Sequence, residues 1–150
     1  MRRLAAGAVL LALLLGGCGG DDVQESNAYV DSVNIAQSRF ASSFERLARD
    51  ITSSSTPEQD RRTLRSITKT LDETVVDLRK IVPPERVEAQ HTQLIDTLAE
   101  YGEAIGAAEQ KLGGSAEQAT AAEARLAADT ARTSTRVNAA IAAINQKLRD

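Results

Sequence analysis

Along most of this chain the apolar residues return every three or four positions, and no stretch alternates apolar with polar long enough to suggest a strand. In the first such stretch Val30, Val33, Phe40, Phe44, Leu47 and Ile51 fall on one stripe, broken only by Gln37. Steps of three and four keep the apolar seam of a helix facing a neighbour along a shared axis. A second stripe runs through Leu64, Ile67, Leu71, Thr74, Leu78 and Ile81, and a third through Val87, His91, Leu94, Leu98, Tyr101, Ile105, Ala108 and Leu112. The fourth includes Leu126, Thr130, Thr133, Val137, Ile141, Ile144 and Leu148.

The punctuation between stripes is equally regular. Asp22-Val23-Gln24-Glu25 reads as an N-cap followed by a capping-box acid, and Thr56-Pro57-Glu58-Gln59 and Ser115-Ala116-Glu117-Gln118 repeat the device. Pro83-Pro84 removes two backbone donors and turns the chain, and Gly113-Gly114 offers a site for a left-handed C-cap. The spacing therefore predicts helices over about 22–52, 57–82, 84–112 and 115–149. Short turns make consecutive helices antiparallel, so the expected fold is an all-α, up-down-up-down four-helix bundle forming one domain over 22–150.

Composition sharpens that picture. The chain has 150 residues, of which only 3% are aromatic, so its core must be built from Leu, Ile, Val and Ala. Phe44 is an expected core ring. The fourth helix carries Ala121, Ala122, Ala127, Ala128, Ala139, Ala140, Ala142 and Ala143, small enough for another backbone to approach closely. The third and fourth helices are expected to be the closest pair, and these small residues argue against a cavity between helices. Gly102-Glu103-Ala104-Ile105-Gly106, flanked by glutamates, reads as a packing device in water rather than a membrane motif.

Candidate chemistry is sparse. Glu88 and His91 share the Glu-x-x-His spacing of di-iron bundles, but His91 is the only histidine and such sites need a second motif. A metal site is not expected. Any serine nucleophile would depend on that same histidine, and the glycines form no phosphate-cradling loop, so neither an enzyme nor a cofactor is expected. Arg61, Arg62, Arg65 and Lys69 give the second helix a basic side that could meet anionic wall polymer or lipid headgroups. Glu58, Asp60, Asp72 and Glu73 interleave with them, as on an ordinary solvated face.

One positional coincidence stands out. If the turns fold near Ser54, Pro83 and Gly113, the polar members of the four stripes, Gln37, Thr74, His91 and Thr133, lie within about one helical turn of a common level. Such a layer reads first as a device that fixes register. A second reading is the lining of a small pocket that binds something.

The first 20 residues have a different character. Arg2 and Arg3 precede an uncharged apolar run, Leu4 to Leu15, and Leu15-Gly16-Gly17-Cys18 comes directly after it, the layout of a secretory signal over 1–17. As a helix, Leu4 to Gly17 would reach only about 21 Å, short of the roughly 30 Å of a bilayer core. Without Arg2 and Arg3 the count becomes 16 basic residues against 21 acidic, a formal charge of -5. That balance argues against nucleic acid as a partner.

Leu15-Gly16-Gly17-Cys18 resembles the lipobox of bacterial lipoproteins. The resemblance implies a diacylglycerol on the Cys18 thiol, recognition of Leu15, Gly16 and Gly17 by a dedicated signal peptidase, and cleavage before Cys18. Residues 18–21 would then be the lipidated cysteine and a short tether. With its alanine and arginine richness, the chain is similar to small helical lipoproteins of high-GC bacteria. The resemblance therefore implies a lipid-anchored protein on the extracytoplasmic side of a cell membrane, expected to act without catalysis as a structural or protein-interaction module of the envelope. Its partners would be the membrane, through the lipid, and an envelope protein or wall polymer. The alternative is a helical-bundle binding protein for a small or apolar ligand.

Overall fold

The structure, a computed structural model, describes residues 20–50 and 55–150. Leu15, Gly16, Gly17 and Cys18, the signal segment before them, and Ile51 of the first stripe lie outside the described residues. Within them four helices follow in order: α1 Gly20–Ala48, α2 Pro57–Arg79, α3 Glu88–Leu112 and α4 Ala116–Arg149. A single 3-10 turn, Glu85–Val87, leads into α3.

The local chemistry of the starts explains α2 and α4. Thr56 accepts a hydrogen bond from the Gln59 amide while the Gln59 side chain accepts one from the Thr56 N–H, with Pro57 at the first helical position. Ser115 and Gln118 do the same for α4. The helices differ from expectation at several ends: α1 stops at Ala48 and α2 at Arg79, short of 52 and 82, and α3 begins at Glu88, after the 3-10 turn, and not at 84. Two expected caps also fail. Asp22 is not a cap, because it lies inside α1, which is already helical at Gly20. Gly113 closes α3 in right-handed geometry, φ -84°, because the Ser115 cap follows too soon to need a left-handed reversal.

Each helix packs on the next, α1 on α2, α2 on α3, α3 on α4, and the α3–α4 approach is the most extensive, as the small residues predict. The pair that would close the ring, α1 and α4, stays further apart. Only two of the alanines singled out in α4, Ala122 and Ala140, are buried; the others are exposed or half-buried. Gly102 sits against Leu71 and Asp72 of α2, whereas Gly106 faces open space.

The core has two main parts. Nearer the proline turn, Val30 and Val33 of α1 meet Val75 and Leu78 of α2, Val87 of the 3-10 turn, Ile95 of α3 and Ile144 of α4, so all four helices join there. Toward the other end, Leu64, Ile67 and Leu71 of α2 pack on Ile105 of α3, while Phe40, Phe44 and Leu47 of α1 only half-cover them. Phe44 is thus at the margin of the core, not inside it.

Leu71 has no exposed surface, so Leu71→Ala should cost about 2 to 5 kcal/mol in chemical denaturation. Phe44→Ala should cost less, despite the larger deletion, because Phe44 has less enclosure to lose. Equal costs for the two would place α1 deeper in the bundle than described.

Candidate functional site

Where α1 and α4 fail to close, an apolar cavity of about 160 Å³ opens. Its inner wall is Leu78 of α2 with Leu94 and Leu98 of α3; Phe40 and Phe44 of α1 and Val137 of α4 form the flanks. None of the residues lining it is charged. Small residues on α4 did not exclude a cavity, contrary to the sequence reading, because most of its alanines point to solvent and α1 stands off. A larger hollow of about 490 Å³ lies at the α1–α2 end, lined by Leu47, Asp50, Gln59 and Arg62 among others. That hollow is an open, charged dish, and the smaller apolar space is the better ligand site.

Three members of the expected polar layer meet in this cavity: Gln37 from α1, Thr74 from α2 and Thr133 from α4. Thr74 spends its hydroxyl on the Thr70 carbonyl at 2.8 Å. Gln37 and Thr133, with the adjacent Ser134, hold no side-chain hydrogen bond to another residue among the described residues. Tyr101 and Thr130, further along the wall, are paired to each other at 2.9 Å, and burial raises the Tyr101 phenol above its ordinary pKa.

His91 does not join them, and Leu94, one turn along α3, takes the place it was expected to hold. The reason is a competing pair of hydrogen bonds. Pro83-Pro84 prevents α2, which ends at Arg79, from continuing, and the Leu78 carbonyl in its last turn, which accepts from the Ile81 N–H at 3.0 Å, still has a lone pair for a second donor. His91 Nε2 lies 3.1 Å from the Leu78 carbonyl, and Nδ1 lies 3.1 Å from the Tyr29 hydroxyl. The Nε2–H tautomer satisfies both, donating to Leu78 and accepting from Tyr29. The rings stack edge to face with centroids 5.5 Å apart. Burial lowers the His91 pKa against the opposing pull of the Leu78 carbonyl, and burial pushes the Tyr29 phenol up to about 12.

Tyr29 was missed by the sequence reading because it lies beside the first stripe rather than on it. The available signal was the need of a buried phenol for a partner. Glu88, the other half of the Glu-x-x-His spacing, is exposed at the start of α3. Among the described residues no group of three His, Cys, Asp or Glu is placed to hold a metal, and no helix is long and apolar enough to cross a membrane. The basic side of α2 is partly engaged: Arg61 bonds Glu109 at 2.9 Å, Arg65 approaches the same carboxylate at 3.8 Å, and Lys69 approaches Glu73 at 3.9 Å. No family model, curated protein or solved structure matches this chain.

Because folded His91 resists a proton that the unfolded chain accepts, stability should fall as pH drops through about 6.5, levelling off below the lowered folded pKa. Tyr29 should add a loss between about 10 and 12 on the alkaline side. His91→Leu should remove the acid slope in a pH series of unfolding free energies. It should also cost about 1 to 3 kcal/mol at neutral pH by stranding the Tyr29 hydroxyl. Adding Tyr29→Phe should recover part of that cost, and strictly additive losses would mean that the two side chains do not interact.

Proposed function

We propose that this chain is a membrane-anchored extracytoplasmic lipoprotein whose helical bundle acts, without catalysis, as a binding module for a small apolar ligand held between α1 and α4. The cavity carries the binding half of this reading: its volume is close to the roughly 150 Å³ of a dry apolar cavity able to take up benzene. Support for the anchor comes from Arg2, Arg3, the apolar run and Leu15-Gly16-Gly17-Cys18. Only Gly19 stands between Cys18 and the first residue of α1, so a lipid there would hold the bundle close to the bilayer. The proline turn and the end of α4 share the core at the start of α1, and that end would face the membrane.

A second reading, a structural or protein-interaction module contacting an envelope protein or wall polymer, is favoured by the polar dish at the opposite end of the bundle. In an anchored molecule that dish would point away from the membrane.

Two measurements test the proposal separately. Cys18→Ala should abolish lipid labelling and release the protein from the membrane fraction, and unchanged labelling removes the anchor. Benzene at about ten times its Kd should stabilise the folded chain by about 1.4 kcal/mol, read as a rise in Tm. The absence of any shift up to benzene saturation in water removes the binding reading.

A further inference from the structure

Resting on the binding reading above, we infer the ligand class: an uncharged amphiphile whose short aliphatic tail enters the cavity while a neutral hydroxyl, amide or ester stays at its mouth. The tail would lie against Leu78, Leu94 and Leu98, the wall that α2 and α3 supply. The polar group would be held by Gln37, Thr133 and Ser134, on the two helices that flank the opening.

Three observations lead to this class. The space of about 160 Å³ is of the size that admits a six-carbon apolar group, as the benzene comparison indicates. The hydroxyls of Thr74 and Thr130 are already bonded to backbone carbonyls at 2.8 and 2.7 Å. Gln37, Thr133 and Ser134 hold no such bonds among the described residues, so the hydrogen-bonding capacity left over is concentrated at the α1 and α4 lips. It consists of an amide and two hydroxyls, groups that both donate and accept. A ligand hydroxyl or carbonyl would complete them.

The third observation excludes ions. With no charged residue in the lining, a carboxylate or ammonium drawn into the site would lose water without gaining a counter-charge. His91, separated from the space by Leu78, gives no compensation at neutral pH because burial keeps it uncharged. Discrimination would therefore act through desolvation: a fatty acid anion of matching length is refused while the corresponding alcohol is accepted.

The test uses the purified full chain at neutral pH, titrated with 1-hexanol, hexanoate, hexylammonium and benzene and followed by methyl NMR and calorimetry. Expected are saturable shifts at Val33 and Val137 with hexanol, and affinities for both ions weaker by about ten-fold or more. Gln37→Leu combined with Thr133→Val should weaken hexanol by up to about ten-fold while leaving benzene unchanged. Val137→Phe should block both neutral probes; Ala41→Leu, a milder filling, should weaken both if the larger ring impairs folding. If benzene binds but hexanoate matches hexanol, or the lip variants leave hexanol unaffected, the ligand class is overturned and the binding reading stands. If neither neutral probe binds, the binding reading itself fails.

Discussion

The end of α2 at Arg79 is the constraint on which the rest of the bundle depends. Pro83 and Pro84 deny that helix its continuation, and the Leu78 carbonyl of its last turn, already accepting from the Ile81 N–H, takes a second hydrogen bond from His91 of the next helix. His91 in turn holds the Tyr29 hydroxyl, fixing α1 against the α2–α3 corner. Arg86, in the turn itself, donates to Ser26 Oγ of α1 at 2.6 Å, and Val87 fills the space beneath with no exposed surface. Helices α1, α2 and α3 are therefore located at the proline end by directional bonds as well as by packing.

Among the described residues no comparable bond fixes α1 at the other end. Its larger side chains there, Phe40 and Phe44, lie against each other with centroids 5.6 Å apart and only partly cover the α2–α3 core. A chain with 3% aromatic residues has little bulk to spare. Thr130, Thr133 and Ser134 face α1 across the gap from α4, and small polar residues cannot fill it. A dry, fully enclosed space of about 160 Å³ would cost about 4 kcal/mol by the usual volume scaling, and an opening to solvent lowers that figure. The cavity is thus a result of strong location at one end combined with small residues at the other.

How much of this was legible in the sequence depends on the range of the physics involved. Thr56 with Gln59 and Ser115 with Gln118 act within one turn, so the capping boxes could be read correctly from four residues each. Pro83-Pro84 is as local. The three-four stripes gave the helices and their inward faces, and the bundle follows from the short turns. They carry no information about the gap between two helices distant in sequence, which is why the space between α1 and α4 was not foreseen. Gln37, Thr74 and Thr133 were brought to one level by mirroring across the turns. His91 departed by one turn, because mirroring knows nothing of a carbonyl at a helix end that can take a second donor or of a tyrosine beside the stripe.

The distribution of charge follows the same division. Ion pairs such as Arg136 with Glu100 and Lys80 with Asp77 lie on the surface, where screening and side-chain entropy leave each worth little. The described buried polar residues are Ser26, Thr63, Thr74, His91 and Thr97, and only His91 among them can become a cation. It lies in the first turn of α3 with its ring against the last turn of α2, and burial keeps it neutral against the opposing pull of the Leu78 carbonyl. Desolvation outweighs that pull because the imidazole is enclosed and both its nitrogens are already satisfied in the neutral tautomer. At neutral pH the interior facing the cavity therefore has no formal charge, and any selectivity it exerts must come from shape, from hydrogen bonding by neutral groups and from the cost of removing water.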